Sequence, residues 1–239
     1  MPSIKLTLIL IMLALVFARL GFWQLERKAE KGRLFEQFEQ APSSGIEQAL
    51  VRAERFTRVE AWGRYERDRH VLLDNRILNG RVGVHVLTPF VLPDGRQILV
   101  NRGWLPMAAD RLSLPKVITD DSPRTIRGIL NLPPTTGPRH GAADVLRRDR
   151  WPQLVTWLDM ESVSEALDAP LEPWVLQLDG RDESGFEGRD WQPAVMGPEV
   201  HGAYALQWFA LAAATLIIWV TLGFRPTRPD AAGIARTPK

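Results

Sequence analysis

The amino-acid sequence predicts an α+β membrane protein, in which two transmembrane helices, one at each end, flank a mainly antiparallel, β-rich extracytoplasmic domain with short helices. Two apolar segments, residues 4–23 and 203–224, bracket the 239-residue chain. About 20 apolar residues at roughly 1.5 Å each cover a hydrocarbon core of about 30 Å. Residues 24–202 are polar and turn-rich, and several stretches alternate apolar and polar residues with the period of two typical of strands.

The first apolar segment is expected to be an uncleaved membrane anchor rather than a signal peptide. Lys5 supplies the positive charge that precedes a signal peptide's apolar region, but no small-x-small cleavage site follows. The segment instead ends in Gly21-Phe22-Trp23, and tryptophan is common at the membrane interface. The second segment contains no charged residue, and Tyr204 and Trp219 lie toward its ends, as expected of interfacial aromatic residues.

Basic residues beside the two segments predict the orientation of the chain. They are Lys5 at the start of the first segment and, after the second, Arg225, Arg228, Arg236 and Lys239. The positive-inside rule places both termini, including the tail 225–239, in the cytoplasm and the domain 24–202 in the periplasm, with the protein in a bacterial inner membrane. Four basic residues after the first segment argue against this, namely Arg27, Lys28, Lys31 and Arg33. Long loops, however, are translocated largely regardless of their charge.

The composition excludes several classes of function. The central domain holds 24 of the 30 Lys and Arg residues and 27 of the 28 Asp and Glu residues, so it lacks the basic excess expected of a nucleic-acid-binding domain. The absence of cysteine excludes disulfides, thiolate metal sites, covalent c-type haem attachment and thiol catalysis. The common motifs of phosphate binding, dinucleotide binding, zinc proteases and serine hydrolases are also absent from the sequence.

The first half of the central domain is predicted to contain a helical extension, a short helix and four strands. Apolar residues at helical spacing extend the first helix beyond Trp23 as far as Ala41-Pro42-Ser43. Ser44 and Glu47 have the spacing of a capping box and predict a short helix over residues 46–53. Strands are predicted over residues 59–65, 71–73, 84–91 and 97–101, with turns at Asn79-Gly80 and Pro93-Asp94-Gly95.

The second half continues with short strands and loops. Strands are predicted over residues 124–130, 154–157 and 174–178, and loops over residues 133–141 and 179–190. Asp159 is expected to cap a short helix that ends at Leu167, and Gly197-Pro198 is expected to precede the second membrane helix. Short adjacent strands joined by tight turns imply a mainly antiparallel sheet rather than a doubly wound nucleotide-binding fold.

His201 differs in its surroundings from the other three histidines. We expect His70 and His140 at the surface and His85 half-buried in a strand. His201 precedes Tyr204 by three residues and Trp208 by seven, so all three share one face of the second membrane helix.

The first helix reaches the same membrane surface through Trp23 and Gln24. One histidine, four aromatic residues and two amides are therefore expected to converge at one depth, namely His201, Trp23, Tyr204, Trp208, Phe209, Gln24 and Gln207. Gln207, just inside the bilayer, needs a hydrogen-bond partner, which the other helix could supply. An aromatic belt with a helix-capping histidine is the alternative, and the pattern alone does not decide between the two.

Three sequence blocks carry a resemblance to a known family. The first is Leu20–Arg27 with Lys31, which includes Gly21. The second is Val100–Pro106, which contains Asn101, Arg102, Gly103 and Trp104 and is preceded by Leu73-Asp74-Asn75-Arg76. The third is His201 with Tyr204–Phe209. In this order, between two membrane helices, the blocks resemble the Surfeit locus protein 1 family of cytochrome c oxidase assembly factors. Two residues depart from the family's pattern. At the position of Gly202 we expect a larger residue, commonly Leu, and at the position of Glu199 we expect Asn.

The resemblance implies a non-enzymatic role in oxidase biogenesis. It implies delivery or retention of haem a for the oxidase catalytic subunit, with His201 as the iron ligand. The implied partners are that subunit, other assembly factors and membrane lipid. Haem is amphipathic, so such a site needs an imidazole for the iron, aromatic walls for the ring and a cation for the propionates, for which Arg27 is one candidate.

The central block is expected to form a turn after a strand. We assign Asn101, Arg102, Gly103 and Trp104 a structural role first, with Gly103 permitting a backbone conformation that other residues resist. A partner-binding role is the alternative for this block. Two other classes of function remain open for the whole chain. One is a membrane-anchored scaffold that stabilises oxidase subunits without binding haem, and the other is an enzyme with a diffuse carboxylate site.

Overall fold

The apolar segments at both ends of the chain are helical, and the region between them is built on one mixed β-sheet. The computed structural model of the protein describes residues 2–108, 110, 113–134, 146–193 and 196–224. The chain divides into a helix unit, residues 1–36 and 193–239, and a β unit, residues 37–192. In chain order the elements are α1 (Ile4–Glu39), β1 (Ser43–Gly45), α2 (Ile46–Arg52), β2 (Arg58–Tyr65), β3 (Val71–Leu78), β4 (Arg81–Val91), β5 (Gln97–Pro106), β6 (Arg124–Asn131), β7 (Gln153–Val155), α3 (Met160–Leu167), β8 (Leu171–Leu178) and α4 (Pro198–Gly223).

The helix unit consists of two antiparallel helices, each long and apolar enough to cross a membrane. Thr7 near the start of α1 meets Trp219 near the end of α4, with 3.4 Å between Oγ1 and Nε1, whereas Gln24 meets His201 near the start of α4. The facing residues recur at intervals of three, four or seven, which keeps them on one face of each helix. This helix seam comprises Thr7, Ala14, Phe17, Gly21, Gln24 and Lys28 on α1, and His201, Ala205, Trp208, Ala212, Thr215 and Trp219 on α4.

The eight strands of the β unit form one sheet, part of which closes into a small barrel. The strand order is β1-β2-β6-β8-β5-β4-β3-β7, and an additional pairing joins β2 to β4. Strands β2, β4, β5, β8 and β6 therefore form a ring, in which β5 and β8 are the parallel pair. Two residue pairs, Arg64 with Val91 and Tyr65 with Phe90, close the ring. The result is a partly open, five-stranded Greek-key barrel of the OB type.

Apolar side chains fill the barrel and also cover part of its outer surface. One core cluster contains Val100, Ile126 and Leu176 from the ring strands and Ile46 from α2. A second cluster contains residues of β3, β4, β5 and β8 together with Val163 and Leu167 of α3. Neighbouring residues of β5, such as Ile98 and Leu99, belong to different clusters. Both faces of β5 are therefore buried, which accounts for its nearly continuous apolar sequence.

Most of the predicted elements are present in the structure. The first helix continues beyond Trp23 to Glu39, and β2 alternates between exposed and buried residues. Asp159 caps α3 as predicted, with its carboxylate accepting the Ser162 N–H at 3.2 Å. Both predicted hairpin turns form, because Asn79, Gly80 and Gly95 adopt positive φ angles.

Several local predictions are wrong. Ser44 does not cap α2, since its hydroxyl lies 3.1 Å from Gln48 Oε1 and the N-cap residue is Gly45. Residues 43–45 instead form β1, which pairs in parallel with β2. Strands β3, β5 and β8 are longer than predicted, and two further parallel pairings, β3 with β7 and β5 with β8, were not anticipated from sequence. Residues 135–141 of the predicted loop, which include His140, and the tail 225–239 lie outside the described residues.

The predicted turn at the central block is wrong, because Asn101–Trp104 continues β5 through a bulge. His85 pairs with Trp104 and Leu87 with Asn101, so three steps along β5 oppose two along β4. Gly103 has a φ of +108°, and its N–H donates to Asn101 Oδ1 at 3.1 Å. The expectation that Gly103 adopts a backbone conformation that other residues resist is therefore confirmed.

The Arg102 guanidinium is buried in the β unit and is held by neutral groups. Its Nε donates to the Ser184 carbonyl oxygen at 2.7 Å, and its Nη1 donates to Thr119 Oγ1 at 2.6 Å. The rings of Tyr65 and Phe186 lie 4.7 and 4.8 Å from its central carbon. Burial lowers the pKa of Arg102 from its usual value. These contacts attach the 179–190 loop to the barrel.

The surface position predicted for His70 is wrong, whereas the half-buried position predicted for His85 is confirmed. His70 is buried, with its Nδ1 at 3.0 Å from Thr88 Oγ1. Burial, with a smaller contribution from the charge of Arg102, lowers the pKa of His70 to about 4. His85 Nδ1 lies 3.3 Å from Asn101 Nδ2, and burial together with Arg76 lowers the pKa of His85 to about 4. Both imidazoles are therefore neutral at pH 7.

Gly103→Ala is expected to lower the free energy of unfolding by about 2 to 4 kcal/mol. An alanine at this position would be held at a positive, strained φ, and its β-carbon would lie 2.5 Å from the Glu187 carbonyl oxygen. Gly45→Ala is the matched control, because Gly45 has a φ of −65° and open space around it, so the expected change is below about 0.5 kcal/mol. Chemical unfolding of the full chain in detergent measures both variants. Equal midpoints for Gly103→Ala and the wild type would contradict the bulge.

The stability of the β unit is expected to fall as the pH falls from 7 toward 4. His70 has a folded-state pKa of about 4, below the ordinary value of 6.5, so in this window the unfolded chain binds more protons. The contribution of His70 is about 2 kcal/mol between pH 7 and pH 5. His70→Gln should therefore lose about 2 kcal/mol less than the wild type over that interval, measured by unfolding at the two pH values. Identical pH dependence in both proteins would refute the buried neutral state of His70.

Candidate functional site

His201 stands in the first turn of α4, at one end of the helix seam. Gly197 is the N-cap of α4, and Pro198 occupies the first turn, where its missing N–H removes no helical hydrogen bond. Glu199 is the one charged residue of the helix. His201 follows it two residues later, where the helix becomes largely apolar. Because α1 runs antiparallel to α4, Gln24 lies at the same level.

A hydrogen bond between His201 and Gln24 joins the two helices. The distance from His201 Nδ1 to Gln24 Oε1 is 2.8 Å. An amide oxygen only accepts hydrogen bonds, so Nδ1 carries the proton and donates it. Gln24 is 9% exposed and His201 is half-buried, which shields this bond from water. In the described part of the chain the second ring nitrogen, Nε2, makes no hydrogen bond. In the neutral form of the ring, the remaining lone pair is therefore on Nε2.

Aromatic side chains continue the seam next to this pair. Phe17 stacks on Trp208 with 5.8 Å between ring centroids, and Phe22 meets Phe209 edge to face at 5.2 Å. The Phe209 ring lies directly against Gly21, where an added β-carbon would be 2.7 Å from Cε1. A glycine at this position therefore allows the aromatic ring to approach the backbone of α1. The resulting surface is apolar and rich in flat rings.

Three cations of α1 lie near the polar end of the seam, and they differ in their partners. Arg27 donates to Glu30 Oε2 at 2.6 Å and lies 5.7 Å from the Trp23 ring centroid. Lys31 lies 3.4 Å from the other Glu30 oxygen. Lys28 lies instead along α4, where a β-carbon added to Gly202 would be 3.4 Å from its Cδ and 3.4 Å from its Nζ.

The structure brings together part of the predicted cluster. His201, Gln24 and Trp208 lie on the helix seam, and Phe209 lies beside it, against Gly21 of the first sequence block. Three other predicted residues lie on the outside of the helix pair. Tyr204 is 45% exposed, Trp23 is 40% exposed, and Gln207 is exposed. The inter-helix partner expected for Gln207 is not seen among the described residues, because the amide that bonds across the helices is Gln24.

Sequence reasoning did not identify Phe17, Phe22 and Lys28 as members of this cluster. Phe17 and Lys28 belong to the run Phe17, Gly21, Gln24 and Lys28, which follows steps of four, three and four residues along α1. The run His201, Ala205 and Trp208 follows the matching steps along α4. Two such runs on helices that form a hairpin indicate facing surfaces. The apolar composition of the two segments hid this signal, because it does not distinguish residues that face the other helix from residues that face lipid.

The central block forms a second, separate group of residues within the β unit. Trp104 is buried, and its Nε1 donates to the Arg76 carbonyl oxygen at 2.8 Å. Asn101 and Arg102 are also buried, and Gly103 supplies the bulge described above. All contacts described for this block serve the packing of strands and of the 179–190 loop. Its assignment to structure rather than to partner binding stays a prediction.

The chemistry available at the helix seam is that of a single imidazole, hydrogen-bonded through Nδ1, beside aromatic rings. The described residues contain no group of three or more His, Asp or Glu side chains placed to hold a metal ion by themselves. One imidazole can instead supply a single axial bond to a metal that already has other ligands. The half-buried, largely apolar surroundings are suited to an amphipathic ligand.

Comparison with known proteins places the chain in a family. The model of the SURF1 family matches residues 11–213. A SURF1-like protein of Rickettsia felis is 26% identical over 226 residues, which cover 90% of this chain and 96% of the relative. A SURF1-like protein of Rickettsia bellii is 27% identical over 225 residues, with 90% and 88% covered. Surfeit locus protein 1 of Takifugu rubripes is 25% identical over 221 residues, with 84% and 89% covered.

Proposed function

The chain belongs to the SURF1 family of cytochrome oxidase assembly factors, and we propose that it binds haem a at the helix seam through His201 and helps its delivery to, or retention in, the oxidase catalytic subunit. The role is that of a chaperone rather than an enzyme. Haem a, when bound, would supply an iron that the His201 imidazole could hold. A single protein ligand suits a temporary holder, because one coordinate bond can be exchanged without dismantling a multidentate site.

The hydrogen bond from His201 to Gln24 is the observation that carries this proposal. A histidine that ligates a metal commonly donates its other ring N–H to an oxygen acceptor, which fixes the tautomer and the ring orientation. Gln24 Oε1 is such an acceptor, at 2.8 Å from Nδ1. The bond leaves Nε2 as a lone-pair donor. A histidine that served only to cap α4 would not require a hydrogen-bond acceptor on α1.

The aromatic residues of the seam supply the apolar part of the proposed site. Trp208 is held by Phe17, and Phe209 is held by Phe22 and Gly21, so neither ring is free to turn away. Rings fixed in this way offer flat apolar surface to a porphyrin and keep water from the imidazole. Trp23 and Tyr204, which are exposed on the same pair of helices, can contact the ligand or the lipid interface.

We place the protein in a bacterial inner membrane with both termini in the cytoplasm and the β unit in the periplasm. Two helices of sufficient length and apolarity support two spans. The orientation rests on Lys5 and the basic tail. The partners proposed are the oxidase catalytic subunit, other assembly factors and membrane lipid.

His201→Ala is expected to abolish bound pigment without reducing expression or membrane insertion. The measurement is the Soret band per mole of protein, purified from cells that make haem a. Leu206→Ala is the matched control, because Leu206 belongs to the same helix but is 72% exposed on its outer surface, and its band should equal that of the wild type. An unchanged band in His201→Ala would refute the ligand assignment.

The same spectra separate the remaining readings of the site. A capping histidine would contribute only about 1 kcal/mol of helix stability, and its loss would leave the band intact. Gln24→Leu keeps the ligand but removes the acceptor for Nδ1–H, so a weaker band of altered position is expected. No band in any protein, including the wild type, would favour a scaffold that stabilises oxidase subunits without haem.

The orientation is tested with single cysteines in this cysteine-free chain. The two variants are Val51→Cys and Thr237→Cys. Val51 in α2 is 85% exposed in the native structure, and Thr237 belongs to the tail beyond the described residues. In cells with a permeabilised outer membrane, an impermeant thiol reagent should label position 51 and not position 237. After detergent lysis both should react. Labelling of position 237 alone before lysis would reverse the proposed topology.

A further inference from the structure

We propose that Lys28 is the cation that binds a carboxylate of the ligand at His201, and that Gly202 makes room for it. This inference rests on the proposed function, because it concerns the propionate groups of haem. The resemblance to known relatives suggested Arg27 for this role. The arrangement of charges in the helix unit favours its neighbour.

The position of Lys28 follows from the His201–Gln24 bond. Gln24 and Lys28 are four residues apart on α1, so their side chains occupy the same face of that helix. His201 and Gly202 are adjacent on α4. The Lys28 side chain lies against Gly202, with Cδ and Nζ each 3.4 Å from the point that a β-carbon would occupy. The ammonium group therefore lies one helical turn along α1 from the residue that orients the imidazole.

The charge of Lys28 is available for a ligand. Within the described ranges Lys28 forms no ion pair, whereas Arg27 and Lys31 share the carboxylate of Glu30. Recruiting Arg27 would require breaking its 2.6 Å contact with Glu30 Oε2. The acidic residue in the first turn of α4, Glu199, is folded against Gly197 rather than paired with Lys28. A carboxylate arriving at His201 thus meets one cation without a carboxylate partner.

Gly202 permits this arrangement because it has no side chain. The nearest atoms to its missing β-carbon are all from Lys28. A β-carbon alone would be in ordinary van der Waals contact with Lys28, whereas the larger side chain of leucine, which the family resemblance leads us to expect here, would compete with the lysine side chain for the same space. The departure from the family pattern at Gly202 therefore has a direct structural consequence in this chain. It leaves the Lys28 ammonium against Gly202, the residue that follows His201 on α4.

A comparison of two ligands isolates the carboxylate contact. The probes are ferric protohaem and its dimethyl ester, titrated into the full-length apoprotein in zwitterionic nanodiscs and followed at the Soret band. The wild type should bind the free acid more tightly than the ester, by a factor on the order of ten, because a charge-assisted hydrogen bond is lost on esterification. Zwitterionic lipid holds the contribution of the membrane surface constant.

The variants assign that preference to one residue. Lys28→Gln should bring the affinity ratio of acid to ester close to one while leaving the affinity for the ester unchanged. Gly202→Leu should lower the ratio in the same way, because it displaces the ammonium without removing it. Lys31→Gln and Arg27→Gln should both keep the ratio of the wild type. If the affinity ratio of acid to ester fell to about one in Arg27→Gln and kept its wild-type value in Lys28→Gln, the role would belong to Arg27 and the proposal would be overturned.

Other outcomes are equally decisive. A wild-type ratio of one would show that no cation recognises the carboxylates. An equal fall in affinity for acid and ester in Lys28→Gln would show that Lys28 acts through the structure or the lipid surface. Both results would overturn the role of Lys28 while leaving His201 as ligand, which the His201→Ala spectrum tests independently. If His201→Ala retained the wild-type spectrum, the proposed function would fail whatever the ratio.

Discussion

The packing of α1 against α4 along one narrow seam determines where every functional group of the helix unit lies. In a bilayer the hydrophobic effect does not drive one apolar helix onto another, so association depends on close contact and on hydrogen bonds between helices. Ala14, Gly21, Ala205 and Ala212 are small and buried in the seam. They allow the helices to approach closely. Only at that distance can Gln24 reach His201, and the bond between them gives each of these two polar side chains one partner on the facing helix.

The β unit also depends on hydrogen bonds to a buried polar side chain, in this case the guanidinium of Arg102. Burying a guanidinium is unfavourable unless its N–H groups find acceptors. Arg102 finds a backbone carbonyl and a hydroxyl, and two aromatic faces attract its positive charge. The bulge at Gly103 accompanies this arrangement, because the additional residue shifts the register of β5 between Asn101 and Trp104. The residues of the central block thus have individual structural reasons for their identity.

The helix unit and the central block contribute different things to the proposed chaperone. The blocks at the two ends of the chain converge on one imidazole, its amide partner and fixed aromatic rings. The central block stabilises the barrel through the bulge at Gly103 and the contacts of the buried Arg102. The proposed haem site accordingly lies in the helix unit, at His201 and Gln24. Membership of the SURF1 family is consistent with this division, since the family match extends across both units.

Much of the architecture was determined by local sequence signals. Apolar length predicted the two membrane helices, alternation predicted β2, and the glycine turns predicted the hairpins, because each depends on residues close together in the chain. The proximity of His201 to Trp208, and the arrival of Gln24 at the same level, also followed from helix periodicity and topology. Family resemblance then supplied a reason to connect these residues with haem.

Other features were decided only by the tertiary structure. The order of strands in the barrel, with its parallel β5–β8 pair, depends on contacts between residues far apart in sequence. Asn101–Trp104 has the composition of a turn, yet the neighbouring strand and the 179–190 loop hold it as a bulged strand. His70 lies in a charged stretch of sequence, yet the sheet buries it. The partners of Arg27 and Lys28 could not be distinguished from sequence, because adjacent residues on a helix point in directions about 100° apart and only the facing helix determines which one meets the site.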